Sequence, residues 1–90
     1  MAFTDVETAE IHEAVAAGPT GEDLCKLGLL FSTGQGGAVD YVEAHKWFNL
    51  AALMGCEPAK HYRREISIEM GPDEIAEAQR SAREWLATRH

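Results

Sequence analysis

The stretch from Asp40 to Gly55 constrains the fold more than any other part of the chain. Its apolar residues recur three or four positions apart, which is the spacing of one face of an α-helix. Asp40 is a residue type that caps helix N-termini, and Glu43 stands three positions later, as in a capping box. Gly55 stands where a helix end favours a residue with positive φ. The stretch therefore predicts a helix over residues 40–54 with an apolar face that includes the following side chains: Ala44, Trp47, Phe48, Ala51 and Ala52.

A second amphipathic helix is predicted over residues 21–33, with Thr20 as its N-cap. Its apolar stripe contains Leu24, Leu27, Gly28 and Phe31. Glycine inside a helix costs about 1 kcal/mol relative to alanine, so Gly28 predicts a place where another helix crosses closely. A glycine-rich loop, residues 34–39, joins the two helices, and we expect positive φ at Gly34.

This pair of helices resembles the Sel-one-like repeat, a relative of the tetratricopeptide repeat. The resemblance covers Leu24 to about Ala59, under half of the chain, and Gly37 departs from the valine usual in the family. It implies an all-α fold, a short α-solenoid of about five helices in antiparallel hairpins. The signature positions are filled, in order, by Leu27, Gly28, Phe31, Gly34, Gly36, Asp40, Ala44, Trp47, Phe48, Ala51, Ala52, Gly55 and Ala59.

The flanking segments read as incomplete repeats within a single domain over residues 1–90. Residues 4–18 form a degenerate leading helix, which Thr4 and Glu7 begin as a capping box. Residues 21–55 are the full repeat. Residues 57–90 form a degenerate repeat, with a helix over 58–70, and a C-terminal capping helix. The apolar face predicted for that last helix comprises Ile75, Ala78, Ala82, Trp85 and Leu86.

Charge is distributed unevenly along the chain, which has 8 basic and 15 acidic residues. Residues 1–40 have a net charge of −6, with Lys26 as their one basic residue. Direct nucleic-acid binding is disfavoured, because it needs clustered lysine and arginine. The acidic face of residues 5–13 could meet a basic protein, or it could simply be solvated.

The chain shows neither a secretory signal pattern nor a run of apolar residues long enough to span a membrane. A cytoplasmic location is expected, with Cys25 and Cys56 as thiols.

No catalytic, cofactor-binding or metal-binding residues are predicted. His12 and Glu13 begin a zinc motif that Ala16 fails to complete, and we expect His45 to be solvated. Cys56 and His61 would supply only two ligands, which do not make a metal site.

The resemblance implies a non-catalytic protein–protein interaction module or adaptor, which does not bind a membrane or a nucleic acid directly. One alternative is a small acidic subunit that regulates or inhibits a basic partner. A hydrolase that acts on β-lactams, as suggested for some relatives, is less favoured because the chain has no Ser-x-x-Lys motif. About one repeat is shorter than the three that stacking usually needs, which leaves self-association open.

In such repeats the first helix of each hairpin lines the concave side. The resemblance therefore implies a binding groove formed by residues 21–33 and 58–70. Its predicted lining residues are Glu22, Lys26, Leu29, Ser32, Lys60, Arg63 and Ser67.

Overall fold

This computed structural model describes residues 3–35 and 37–89. Within these residues the chain forms five α-helices and no β-strand. In chain order they are α1 (Asp5–Ala17), α2 (Gly21–Thr33), α3 (Tyr41–Leu53), α4 (Glu57–Ser67) and α5 (Pro72–Thr88). The predicted all-α fold is therefore confirmed. Gly36, which fills one position of the repeat signature, lies outside the described residues.

The first two helices begin at the predicted N-caps, Thr4 and Thr20, and each N-cap forms a capping box. Thr4 Oγ1 accepts a hydrogen bond from the Glu7 amide, and the Glu7 carboxylate accepts one from the Thr4 amide, both at 3.1 Å. Thr20 and Asp23 form the same reciprocal pair at the start of α2, at 3.2 and 2.9 Å. Such boxes satisfy amides that the first turn of a helix leaves without partners.

The start of α3 differs from the predicted reciprocal box. Asp40 Oδ1 accepts from the Glu43 amide at 3.1 Å, as expected. The Asp40 amide, however, donates to the carbonyl of Phe31 at 3.0 Å. This bond joins the end of the glycine loop to the last turn of α2. Glu43 is then free to accept a hydrogen bond from Trp47 Nε1 at 2.8 Å.

A close crossing between α2 and α3 forms the centre of the core. Gly28 faces the fully buried ring of Phe48, and a Cβ atom at position 28 would lie only 2.5 Å from that ring. On its other side, Phe48 stacks on Tyr62 of α4, with 5.4 Å between the ring centroids. The prediction that Gly28 marks a close helix crossing is confirmed.

Trp47 is buried, as predicted, with 8% of its surface exposed. The ring next to Gly28 at the crossing of α2 and α3 is that of Phe48. Trp47 makes its ring contact with α5 instead, edge-to-face on Trp85 with 5.6 Å between centroids. Neighbouring residues point about 100° apart around a helix, so these two rings of α3 meet different helices.

Three other expectations about the helices are wrong. Helix α4 ends at Ser67 rather than at residue 70, because the Glu69 and Met70 amides bond to carbonyls three residues back and form turns. Leu86 is 47% exposed, because the buried stripe of α5 runs through Ala78 and Ala82 and leaves Leu86 at its margin.

His45 is buried rather than solvated, with 3% of its surface exposed. It lies on α3, which packs against α2, α4 and α5, so little of that helix faces water.

Candidate functional site

An open cleft of about 220 Å³ lies between α1 and α2. We call it the α1–α2 cleft. It exists because α1 has a short apolar face, on which Ile11 is the only buried side chain in the described part of the helix. The residues that line the cleft are Phe3, Glu7, Glu10, Ile11, Ala14, Asp23 and Lys26.

The apolar part of the cleft is supplied by α1 and the segment before it. Ile11 is buried, whereas Phe3 and Ala14 are half-buried. The Phe3 amide donates a hydrogen bond to Gln35 Oε1, which ties the start of the chain to the end of α2. This bond holds Phe3 at the cleft, where its half-buried side chain adds to the apolar lining.

Three carboxylates surround this lining. The capping boxes hold those of Glu7 and Asp23 in place, because each accepts a hydrogen bond from a backbone amide. The carboxylate of the third, Glu10 of α1, is exposed. Lys26, the one cation among the described lining residues, is paired with Glu22 outside the cleft, with 3.6 Å between Nζ and Oε1. The cleft therefore combines apolar surface with an excess of negative charge.

This combination suits the side chain of a lysine or arginine. Such a side chain buries its apolar stem while its charged head stays near the water. The lining would contact the stem, and the carboxylates would accept hydrogen bonds from the head.

The groove predicted from the repeat resemblance draws on α2 and α4. On α2, Glu22 is exposed and Lys26 is half-buried at the α1–α2 cleft. Leu29 is half-buried against the hydrophobic core, and the Ser32 hydroxyl donates to the Leu29 carbonyl at 3.3 Å. Of the α2 members, Lys26 thus lies at the cleft and Leu29 against the core, whereas Glu22 is exposed outside the cleft.

The α4 members have partners of their own. Lys60 is exposed and pairs with Glu57 at 3.2 Å. Arg63 Nη1 donates to Asn49 Oδ1 of α3 at 2.6 Å, and Ser67 Oγ donates to the Arg63 carbonyl at 2.7 Å. Within residues 3–35 and 37–89, no hydrogen bond or ion pair joins the α2 members of the predicted groove to its α4 members.

His45 lies where α3 meets α4. Its Nδ1 atom is buried and has no hydrogen-bond partner. Burial lowers the pKa of His45, and the positive charge of Arg63 lowers it further. Both effects favour the neutral imidazole. Sequence reasoning missed this residue because its neighbour Lys46 suggested a solvated face, whereas Lys46 lies over the Trp47 ring at 4.4 Å.

Within the described ranges, no group of three or more histidine, cysteine, aspartate or glutamate residues is arranged to hold a metal ion. None of the described helices combines the length and the apolar character that crossing a membrane requires.

Comparison with family models, with curated proteins and with solved structures finds no match to this chain. The resemblance to the Sel-one-like repeat therefore rests on the residues that fill its signature.

Proposed function

We propose that this chain is a non-catalytic protein-interaction module of the Sel-one-like repeat type, and that its α1–α2 cleft binds a basic segment of a partner protein. The observation that supports the proposal is the cleft itself, in which apolar surface borders the carboxylates of Glu7, Glu10 and Asp23. Peptide-binding sites commonly combine an apolar pocket with charges that select the partner.

The charge distribution supports the same partner class. The cleft lies in the part of the chain, residues 1–40, that has a net charge of −6. A negative field around a binding site speeds the encounter with a positively charged partner and disfavours acidic ones. The partner segment should contain lysine or arginine beside an apolar residue.

The test uses a pair of variants on α1. Glu10→Lys places a positive charge in the cleft, and Glu13→Lys makes the same change outside the lining residues. Both glutamates are exposed and neither caps a helix, so both variants should fold. Peptides selected from a random display library on the parent protein would serve as the binding probe.

We expect the selected peptides to be rich in lysine and arginine. Glu10→Lys should weaken their binding by roughly tenfold or more, because a charged hydrogen bond contributes about 1.5–3 kcal/mol. Glu13→Lys should have a much smaller effect. Equal losses in the two variants would mean that only net charge matters, and the cleft would not be the site.

The predicted groove of α2 and α4 is tested in the same measurement by Lys60→Glu. Lys60 is exposed, and so is its partner Glu57, so this change alters no buried side chain. If Lys60→Glu abolishes binding and Glu10→Lys does not, the groove rather than the cleft holds the partner.

A further inference from the structure

Two cysteines from different parts of the chain meet where α2 and α4 begin. Cys25 lies on the second turn of α2 and is buried, with 7% of its surface exposed. Cys56 is the residue before α4 and is half-buried. Both are free thiols, and both pack into the same hydrophobic cluster.

The close approach at Gly21 explains why they meet. A Cβ atom at position 21 would lie 3.0 Å from the Met54 carbonyl oxygen and 3.3 Å from Cβ of Cys56. The connector between α3 and α4 thus runs directly across the first turn of α2. Gly21 and Cys25 are four residues apart, and such residues lie one above the other on the same face of a helix.

The two thiols also influence each other. The pKa of the Cys25 thiol is raised to about 12, first by burial and then by the charge and the hydrogen bond of Cys56. A disulfide needs Cβ atoms about 3.5–4.5 Å apart, and the Cβ atom of Cys56 lies 3.3 Å from the Cβ position of residue 21, one helical turn before Cys25.

We propose that Cys25 and Cys56 are a redox modification site, at which a peroxide oxidises the pair to a reversible intramolecular disulfide that joins α2 to the start of α4. Cys56 reacts first because it is the more exposed thiol. Its thiolate attacks the peroxide O–O bond, forms a sulfenic acid and releases water or an alcohol. The Cys25 sulfur then attacks the Cys56 sulfur, the S–S bond forms, the S–O bond breaks, and hydroxide leaves with the thiol proton as water.

This order of steps has a kinetic consequence. The thiolate is the nucleophile in disulfide formation, and Cys25 forms one only at high pH because of its raised pKa. The second step should therefore be slow at neutral pH and should accelerate as the pH rises.

The disulfide would also change stability. It would close the chain from residue 25 to residue 56, which includes α3 and the glycine loop. A cross-link of this span restricts the unfolded chain, so the melting temperature of the oxidised protein should rise by roughly 10 °C or more.

The experiment oxidises the full chain with hydrogen peroxide, unfolds it in denaturant to expose both cysteines, blocks the remaining thiols with N-ethylmaleimide and measures the intact mass. We expect the monomer to lose two hydrogen atoms, to take up no maleimide, to melt at a higher temperature and to return to the starting state with dithiothreitol. The variants Cys25→Ser and Cys56→Ser should gain no thermal stability on oxidation. Cys56→Ser is the safer control for folding, because Cys56 is the less buried of the two residues.

Two results would overturn the proposal. One is a parent protein that still takes up two maleimide groups after conditions that fully oxidise a small dithiol. The other is oxidation that yields only intermolecular dimers, or a monomeric disulfide with a lower melting temperature.

Discussion

At the scale of single residues, Gly28 sets how closely α2 and α3 approach. Gly28→Ala would improve helix propensity by about 1 kcal/mol. The new Cβ atom, however, would lie 2.5 Å from a Phe48 ring that is fully buried and stacked on Tyr62. Overpacking of this kind costs roughly 1–3 kcal/mol, so the variant should be less stable by urea unfolding. The double variant Gly28→Ala with Phe48→Leu should show a smaller loss than the sum of the single changes. If Gly28→Ala stabilised the protein, the crossing would be looser than described.

His45 should give stability a dependence on pH. Burial and then the charge of Arg63 lower its pKa in the folded protein from the ordinary value of 6.5. The unfolded chain therefore binds a proton more readily. The contribution of His45 to the free energy of unfolding should be constant well above pH 6.5 and should fall as the pH drops below that value.

Urea unfolding at several pH values between about 7.5 and 5 would measure this dependence. His45→Leu should lose less stability over that range than the parent, because leucine cannot bind a proton. His12→Gln is the control, since His12 is exposed, and it should keep the dependence of the parent. Equal slopes for His45→Leu and the parent would show that His45 does not remain neutral in the fold.

At the scale of helices and loops, Gly34 ends α2. Its φ is +74°, a left-handed conformation, and its amide donates to the Leu30 carbonyl. The predicted positive φ at this position is confirmed. Asparagine tolerates this conformation better than alanine or valine.

Gly34→Val should therefore destabilise the chain by roughly 1–2 kcal/mol or more, and Gly34→Asn by clearly less. Both side chains would meet Val39, whose Cγ2 would lie 3.0 Å from a Cβ atom at position 34, so the difference between them reports the backbone conformation. Thermal melts of the two variants would measure it. Equal losses would attribute the cost to contact with Val39 alone.

Features set by local chemistry could be predicted from the sequence. The caps at Thr4 and Thr20 and the turn at Gly34 depend on residues within a few positions of each other. The burial of His45 and the exposure of Leu86 could not be predicted, because they depend on which helices surround α3 and α5. Sequence patterns report one face of one helix, not how many neighbours that helix acquires.

The candidate site shows the same division. The sequence indicated the acidic character of residues 5–13, and this face supplies Glu7 and Glu10 to the cleft. It could not indicate the cleft itself, because the gap depends on how α1 sits on α2. Lys26 is the one residue common to the cleft and to the groove predicted from the repeat resemblance.

At the scale of the whole molecule, the helices close around one core rather than extend into a superhelix. The radius of gyration is 12.1 Å, close to the value of about 12 Å usual for a compact domain of this length. The principal extents are 34 × 31 × 22 Å. Helix α1 packs on α2 at one side of the α2–α3 pair, while α4 and α5 pack on α3 at the other. A molecule of this shape offers a local cleft for binding rather than a long concave surface.

A titration followed by nuclear magnetic resonance tests the central claim most directly. A lysine- and arginine-rich peptide from the display selection would be added to ¹⁵N-labelled full-length protein, and the amide shifts would be followed. We expect the saturating shifts to cluster on α1 and the first half of α2, around Glu10, Ile11 and Lys26, and to disappear in Glu10→Lys but not in Glu13→Lys. Shifts centred on α4, or shifts that persist in Glu10→Lys, would contradict a binding site in the α1–α2 cleft.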